Sequence, residues 1–123
     1  MNKGDLLVAE PNIFGDLNFH RSVVILVDHK IEGYLGFIIN KLLPYPINDI
    51  ISEIKIDLPL FAGGPVEVDS LFFIHNVSHL IPESVKISEN LFWGGNLDKA
   101  IALVNSKIVT EKQIRFFLGY SGW

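Results

Sequence analysis

The apolar positions of this chain fall mostly in short runs separated by Gly, Pro, Asn and Asp, the pattern of strands joined by turns. Leu6-Leu7-Val8-Ala9 is the first run and stops at Glu10-Pro11-Asn12. Arg21-Ser22-Val23-Val24-Ile25-Leu26-Val27 is rich in β-branched residues and does not alternate, so it reads as a strand buried on both faces and central in a sheet. Asp28-His29-Lys30 with Glu32-Gly33 form the predicted turn. Residues 34–39 return as a hairpin partner, with Gly36 marking a bulge or a close backbone approach.

Pro44-Tyr45-Pro46 then breaks the chain. Ile47, Ile50, Ile51 and Ile54 recur at i, i+3, i+4 and i+7, which predicts a short amphipathic helix with Pro46 in its first turn and Asp49 near its positive end. Beyond Leu58-Pro59, residues 60–62 read as extended, Gly63-Gly64-Pro65 as a rigid turn, and Leu71-Phe72-Phe73-Ile74-His75 as another buried strand. Residues 85–87 and 91–93 are short extended segments. Gly94-Gly95-Asn96 leads into a second helix, where Leu97, Ile101 and Val104 share a face and Asn96 is the N-cap. Thr110 to Gln113 has capping-box spacing, but Ile114, Phe116, Leu118 and Tyr120 alternate with Arg115, Phe117 and Gly119 and predict a final strand. Strands outnumber helices and mostly follow one another directly, so the predicted class is α+β with much antiparallel pairing.

Composition narrows the function more than the fold. A chain of 123 residues with 49% hydrophobic and 20% charged positions is a single globular domain and lacks the signature of disorder. The absence of cysteine excludes disulfides, zinc ribbons and a cysteine nucleophile. A net charge of −4 has the wrong sign for broad phosphate neutralisation, so direct DNA binding is disfavoured. No signal peptide is read at the start, and the longest apolar run, residues 23–27, is far too short to span a membrane. The expected location is the cytoplasm.

Candidate chemistry is sparse. His75 and His79 have i, i+4 spacing, but His75 ends a strand and no Glu stands between them, so no metal or cofactor is expected. Gly119-Tyr120-Ser121-Gly122-Trp123 is a near miss of a nucleophile elbow, and its glycines are wrongly spaced. Gly94-Gly95-Asn96 is the best anion cradle on physical grounds, although a tight strand-to-helix turn is the commoner use of such residues. No catalytic residues emerge. Five positions stand out as candidates for binding: Arg21, Asn40, Gly63, Gly64 and His75. Arg21 and His75 are polar groups at the ends of apolar strands, Asn40 suits a turn that binds its own backbone, and Gly63-Gly64 permit close backbone approach.

Read in order, several of these segments resemble the YqgE/AlgH family of bacterial proteins. They are Gly4-Asp5-Leu6-Leu7-Val8-Ala9 with Pro11, Phe19-His20-Arg21-Ser22-Val23-Val24, and Gly33 with Gly36-Phe37-Ile38-Ile39-Asn40. The series continues with Gly63-Gly64-Pro65-Val66, Leu71-Phe72-Phe73-Ile74-His75 and the closing Gly119-Tyr120-Ser121-Gly122-Trp123. The resemblance implies a compact α+β fold whose largely antiparallel sheet curls into a barrel-like form with a few short helices. It also implies the label of transcriptional regulator, which comes from one member's link to alginate production, and it supplies no established catalytic residues. Family members continue past the Tyr-Ser-Gly-Trp element, so the single domain 1–123 is expected to lack its C-terminal part.

The leading expectation is therefore a non-enzymatic regulator acting through protein or ligand contacts. The alternative is a small-molecule-binding protein or enzyme with a pocket near Arg21, Asn40 and His75. A subunit that self-associates through the aromatic face of its last strand is a third reading.

Overall fold

A computed structural model describes residues 1–8 and 22–122. Within them nine strands form one curled sheet, against which a single α-helix packs. The strands are β1 (Leu6–Val8), β2 (Val23–Lys30), β3 (Gly33–Ile38), β4 (Leu42–Pro46), β5 (Pro59–Ala62), β6 (Val66–His75), β7 (Val85–Ser88), β8 (Leu91–Trp93) and β9 (Ile114–Gly122). The helix, α1 (Leu97–Asn105), precedes β9. The sheet runs β1-β2-β3-β9-β6-β8-β7, with β5 also pairing β9 and β4 outside β5. Every pairing is antiparallel except that of β5 with β9, so the predicted α+β, largely antiparallel class holds. The curl brings the two ends of the sheet together: Ile87 of β7 packs in the same cluster as Ile25 of β2, and the Lys3 ammonium donates to Lys86 O at 3.5 Å.

The hub is β9. One edge carries β6 in register from Leu71↔Leu118 to His75↔Ile114, and the other is divided between β5 at Phe116–Leu118 and β3 at Ser121 and Gly122. The handover falls at Gly63. Its N–H donates to Leu118 O at 2.7 Å, while its carbonyl accepts from Ile38 N at 2.8 Å and from the buried Ser121 hydroxyl at 3.1 Å. Backbones cross so closely here that a Cβ on Gly63 would strike Gly119 O, and one on Gly119 would strike Gly64 O. Gly119 also sits at φ +75, a conformation that side chains with a Cβ disfavour. The irregularity swaps the faces of β9: Phe116 and Leu118 join the outer core, but beyond Gly119 it is Tyr120 that joins Phe117 on the inner one.

Two apolar cores result, one on each face. Inside the curl lie Ile25, Val27, Leu35, Phe37, Ile87 and Phe117, with Phe37 and Phe117 stacked at 4.9 Å. Outside it, Ala100, Leu103 and Val104 of α1 pack with Phe73, Phe116, Ile47, Ile54 and Leu58. Asn96 caps α1 as predicted, its Oδ1 accepting from Lys99 N at 2.9 Å.

Three local expectations change, and two that were open are decided. The helix predicted over 47–54 is only a 3-10 turn, Ile47–Asp49, because Pro44 and Pro46 belong to β4 and Ile47 N is drawn to Leu58 O at 2.9 Å. Asn105 then pins the rest, accepting from Lys55 N and donating to Glu53 O. Ile47 and Ile54 are buried without a helix, whereas Ile50 stays 48% exposed. The strand β2 has Val24–Val27 buried, but it lies beside the edge strand β1, and β9 takes the centre. Asp28-His29-Lys30 belong to β2, which leaves Ile31 and Glu32 as the turn. Gly36 is a close approach, since a Cβ there would lie 2.7 Å from Ile25 O, and the bulge falls across the ladder between Leu26 and Asp28. The Thr110–Gln113 pair closes a turn and not a helix, with Thr110 N donating to Gln113 Oε1 at 2.9 Å.

Candidate functional site

His75 ends β6 and is 1% exposed. Its Nδ1 accepts from Val77 N at 3.2 Å, which places the proton on Nε2, facing Gly94 O and Ser84 Oγ, each at 3.0 Å. The Ser84 hydroxyl donates to Ile81 O at 2.7 Å. Burial holds the His75 pKa below its usual 6.5, the bond to Gly94 opposing that shift. The imidazole is therefore a neutral tie between the end of β6, the loop at 77–84 and the turn before α1. A notch of about 160 Å³, bordered by Asn76, Glu111, Gln113 and Arg115, lies beside it.

The other candidates are also engaged with backbone. Asn40, exposed just after β3, accepts from Val23 N at 2.9 Å through Oδ1 and so ties β3 to the start of β2. Gly63 and Gly64 form the crossing with Gly119 described above. Arg21 lies outside the described residues. None of the cavities described here brings Asn40 and His75 together. At Gly94-Gly95-Asn96, Gly94 N donates to Phe73 O and Asn96 N to Pro82 O, so the segment serves as the strand-to-helix turn. Among the described residues no three His, Asp or Glu side chains are grouped to hold a metal ion.

Open concave surface lies elsewhere, on either side of the start of β6. Between Val66 and Leu71 the β6 ladder is irregular, and Glu67 sits there at φ +49. On one side a cleft of about 580 Å³ is walled by Tyr34, Leu35, Phe72 and Tyr120, with Lys30, Glu32 and Glu67 at its rim. Tyr34 is fixed at both ends, its hydroxyl donating to Met1 O at 2.7 Å and its ring stacked on His29 at 4.2 Å. Phe72 and Tyr120 stand perpendicular, 5.7 Å apart. On the other side a cleft of about 500 Å³ is lined by Leu43, Tyr45, Ile50, Val68 and Leu118, with Asp69 the single charged group among its described residues. Sequence reading missed both, because their residues come from separated strands and look like ordinary core. The one available signal was the aromatic content of the last strand.

A family model described as AlgH-like matches residues 6–123. The chain belongs to the AlgH-like family. Among its relatives are a UPF0301 protein of Bacteroides thetaiotaomicron, 44% identical over 99% of this chain, and UPF0301 protein CT0663 of Chlorobaculum tepidum, 39% identical over all of it. The chain spans 62% of the first of these and 66% of the second. The solution structure of the AlgH protein from Pseudomonas aeruginosa superposes with a TM-score of 0.72 at 26% identity, covering 98% of this chain and 67% of that one. Protein DIP2367 of Corynebacterium diphtheriae shares the fold at the same TM-score with 16% identity. The barrel-like fold of the AlgH-like family thus agrees with the curl around β9, and no helix among the described residues is long and apolar enough to cross a membrane.

Proposed function

We propose that this AlgH-like protein acts without catalysis, by binding a protein or small-molecule partner, in a regulatory role that reaches transcription indirectly. One observation carries the reading: the polar residues singled out in the sequence and described in the structure are spent on backbone, whereas the roomy clefts beside β6 are floored by apolar and aromatic side chains. Concavities with such floors and a few polar groups at the rim suit binding. The small-molecule alternative finds its support at the Tyr34–Phe72–Tyr120 cleft. The acidic balance argues for indirect action on DNA, and a cytoplasmic location belongs to the same proposal.

The test is a comparison of transcripts in the bacterial host with and without the protein, followed by complementation. Restoration by the natural chain, and its loss with Val68→Glu on the exposed lip of the second cleft or Tyr120→Ala in the first, supports the reading. Unchanged transcripts on deletion overturn it. Tight duplex binding by the purified protein that weakens steeply with salt overturns the indirect route.

A further inference from the structure

The two clefts differ in charge and in wall. The larger one combines three aromatic rings with two carboxylates, Glu32 and Glu67, which make no ion pair among the described residues. The one basic group among its described residues, Lys30, leans on Asp28 at 3.8 Å, so its charge is partly neutralised. Aromatic faces carry negative quadrupole density, and a cation placed against them gains from that field as well as from nearby carboxylates. Phe72 and Tyr120 meet edge to face at 82°, and both line the cleft, so a ligand there lies beside aromatic surface from two strands. The third wall, Tyr34, is held in place by His29 and Met1 O and cannot readily turn away. Glu67 is anchored in a left-handed conformation that ordinary residues seldom keep, at the lip of this cleft.

We infer that the cleft between β3, β6 and β9 binds a small organic cation, an alkylated ammonium with an apolar stem, seated against Tyr34, Phe72 and Tyr120 and facing Glu32 and Glu67. This inference rests on the binding reading above and names the ligand class for one of its clefts. Glu32 and Glu67 are exposed and hydrated, so a neutral ligand gains nothing from them, a cation gains from both, and an anion would meet two like charges. The volume of about 580 Å³ suits a small-molecule ligand.

The experiment is an amide-shift titration of the purified protein with n-butyltrimethylammonium, its uncharged carbon isostere and a carboxylate of equal size. The expected result is saturable movement of the Gly33, Leu35 and Gly122 amides with the ammonium alone, weakened by added salt. Glu67→Gln and Glu32→Gln should each lower the affinity roughly three- to tenfold, because each removes one carboxylate from an exposed rim. Tyr120→Phe should keep binding and Tyr120→Leu should lose it, with the fold of each checked by its amide spectrum. Equal binding of the carbon isostere, or indifference to both Glu→Gln changes, overturns the cation assignment and leaves the non-catalytic binding role standing. Absence of any shift with the ammonium also overturns it, and the transcript experiment still decides the wider reading separately.

Discussion

The two ends of β6 treat polar side chains in opposite ways. At the C-terminal end His75 is buried, neutral and bonded through both ring nitrogens. At the N-terminal end Glu67 and Asp69 stand exposed without ion pairs among the described residues, on an irregular ladder between two open clefts. A polar group inside an apolar shell must satisfy its partners locally, so it becomes part of the scaffold. Carboxylates at the lip of a cleft face no such demand and are available to a ligand. Residue type alone would have ranked the two ends the other way, since a histidine ending a strand looks more like chemistry than an exposed glutamate beginning one.

The largest expected effect lies at the crossing that holds both ends of the hub in place. Gly119→Val puts a branched side chain at positive φ and its Cβ against Gly64 O, so it should destabilise by about 4 kcal/mol, measured as a fall in the urea midpoint. A midpoint that hardly moves would mean the crossing is looser than the contacts indicate. Next comes His75→Ala, which strands the Val77 N–H and the Gly94 carbonyl and removes ring packing on Phe73 and Phe92, at a cost of about 3 kcal/mol. If that variant instead kept its stability and lost its cellular effect, the contrast between the two ends would collapse.

The same histidine gives a pH signature. The folded state keeps His75 neutral to a lower pH than the unfolded chain, which takes up its proton near 6.5. Its contribution to stability is therefore complete above pH 6.5, declines as pH falls below that value, and flattens once the folded form is protonated too. Urea midpoints of the wild type and His75→Gln between pH 8 and 5 test this, and the difference between them should shrink toward acid. The smallest effect belongs to Glu67. Glu67→Gly relieves the left-handed backbone and should stabilise by roughly 0.5–1 kcal/mol, although it removes a carboxylate from the cleft. A loss of stability there would show that Glu67 is scaffold, as His75 is.

Much of the fold was legible locally. The strand through 23–27, the N-cap at Asn96 and the final strand from Ile114 each rest on a nearest-neighbour rule and each is found, although the alternation of that last strand breaks at Gly119. The 47–54 segment failed because its isoleucine spacing fits a helix, yet a tertiary bond from Ile47 to Leu58 and the clamp by Asn105 decided its path. Asn40, Gly63 and His75 find partners 17 to 58 residues away, and sequence spacing does not specify such distances.

By itself, the sequence determined the class of the fold, the positions of most strands, the family and the want of any recognisable catalytic motif. These depend on periodicity, composition and ordered motifs, which are properties of the chain read along its length. Only the tertiary structure decided that β9 is the hub, that Gly119 turns Tyr120 onto the inner face, and that Tyr34, Phe72 and Tyr120 share one cleft with Glu32 and Glu67. Those residues are contributed by three separated segments, and their meeting follows from strand register and curl, which no local rule contains.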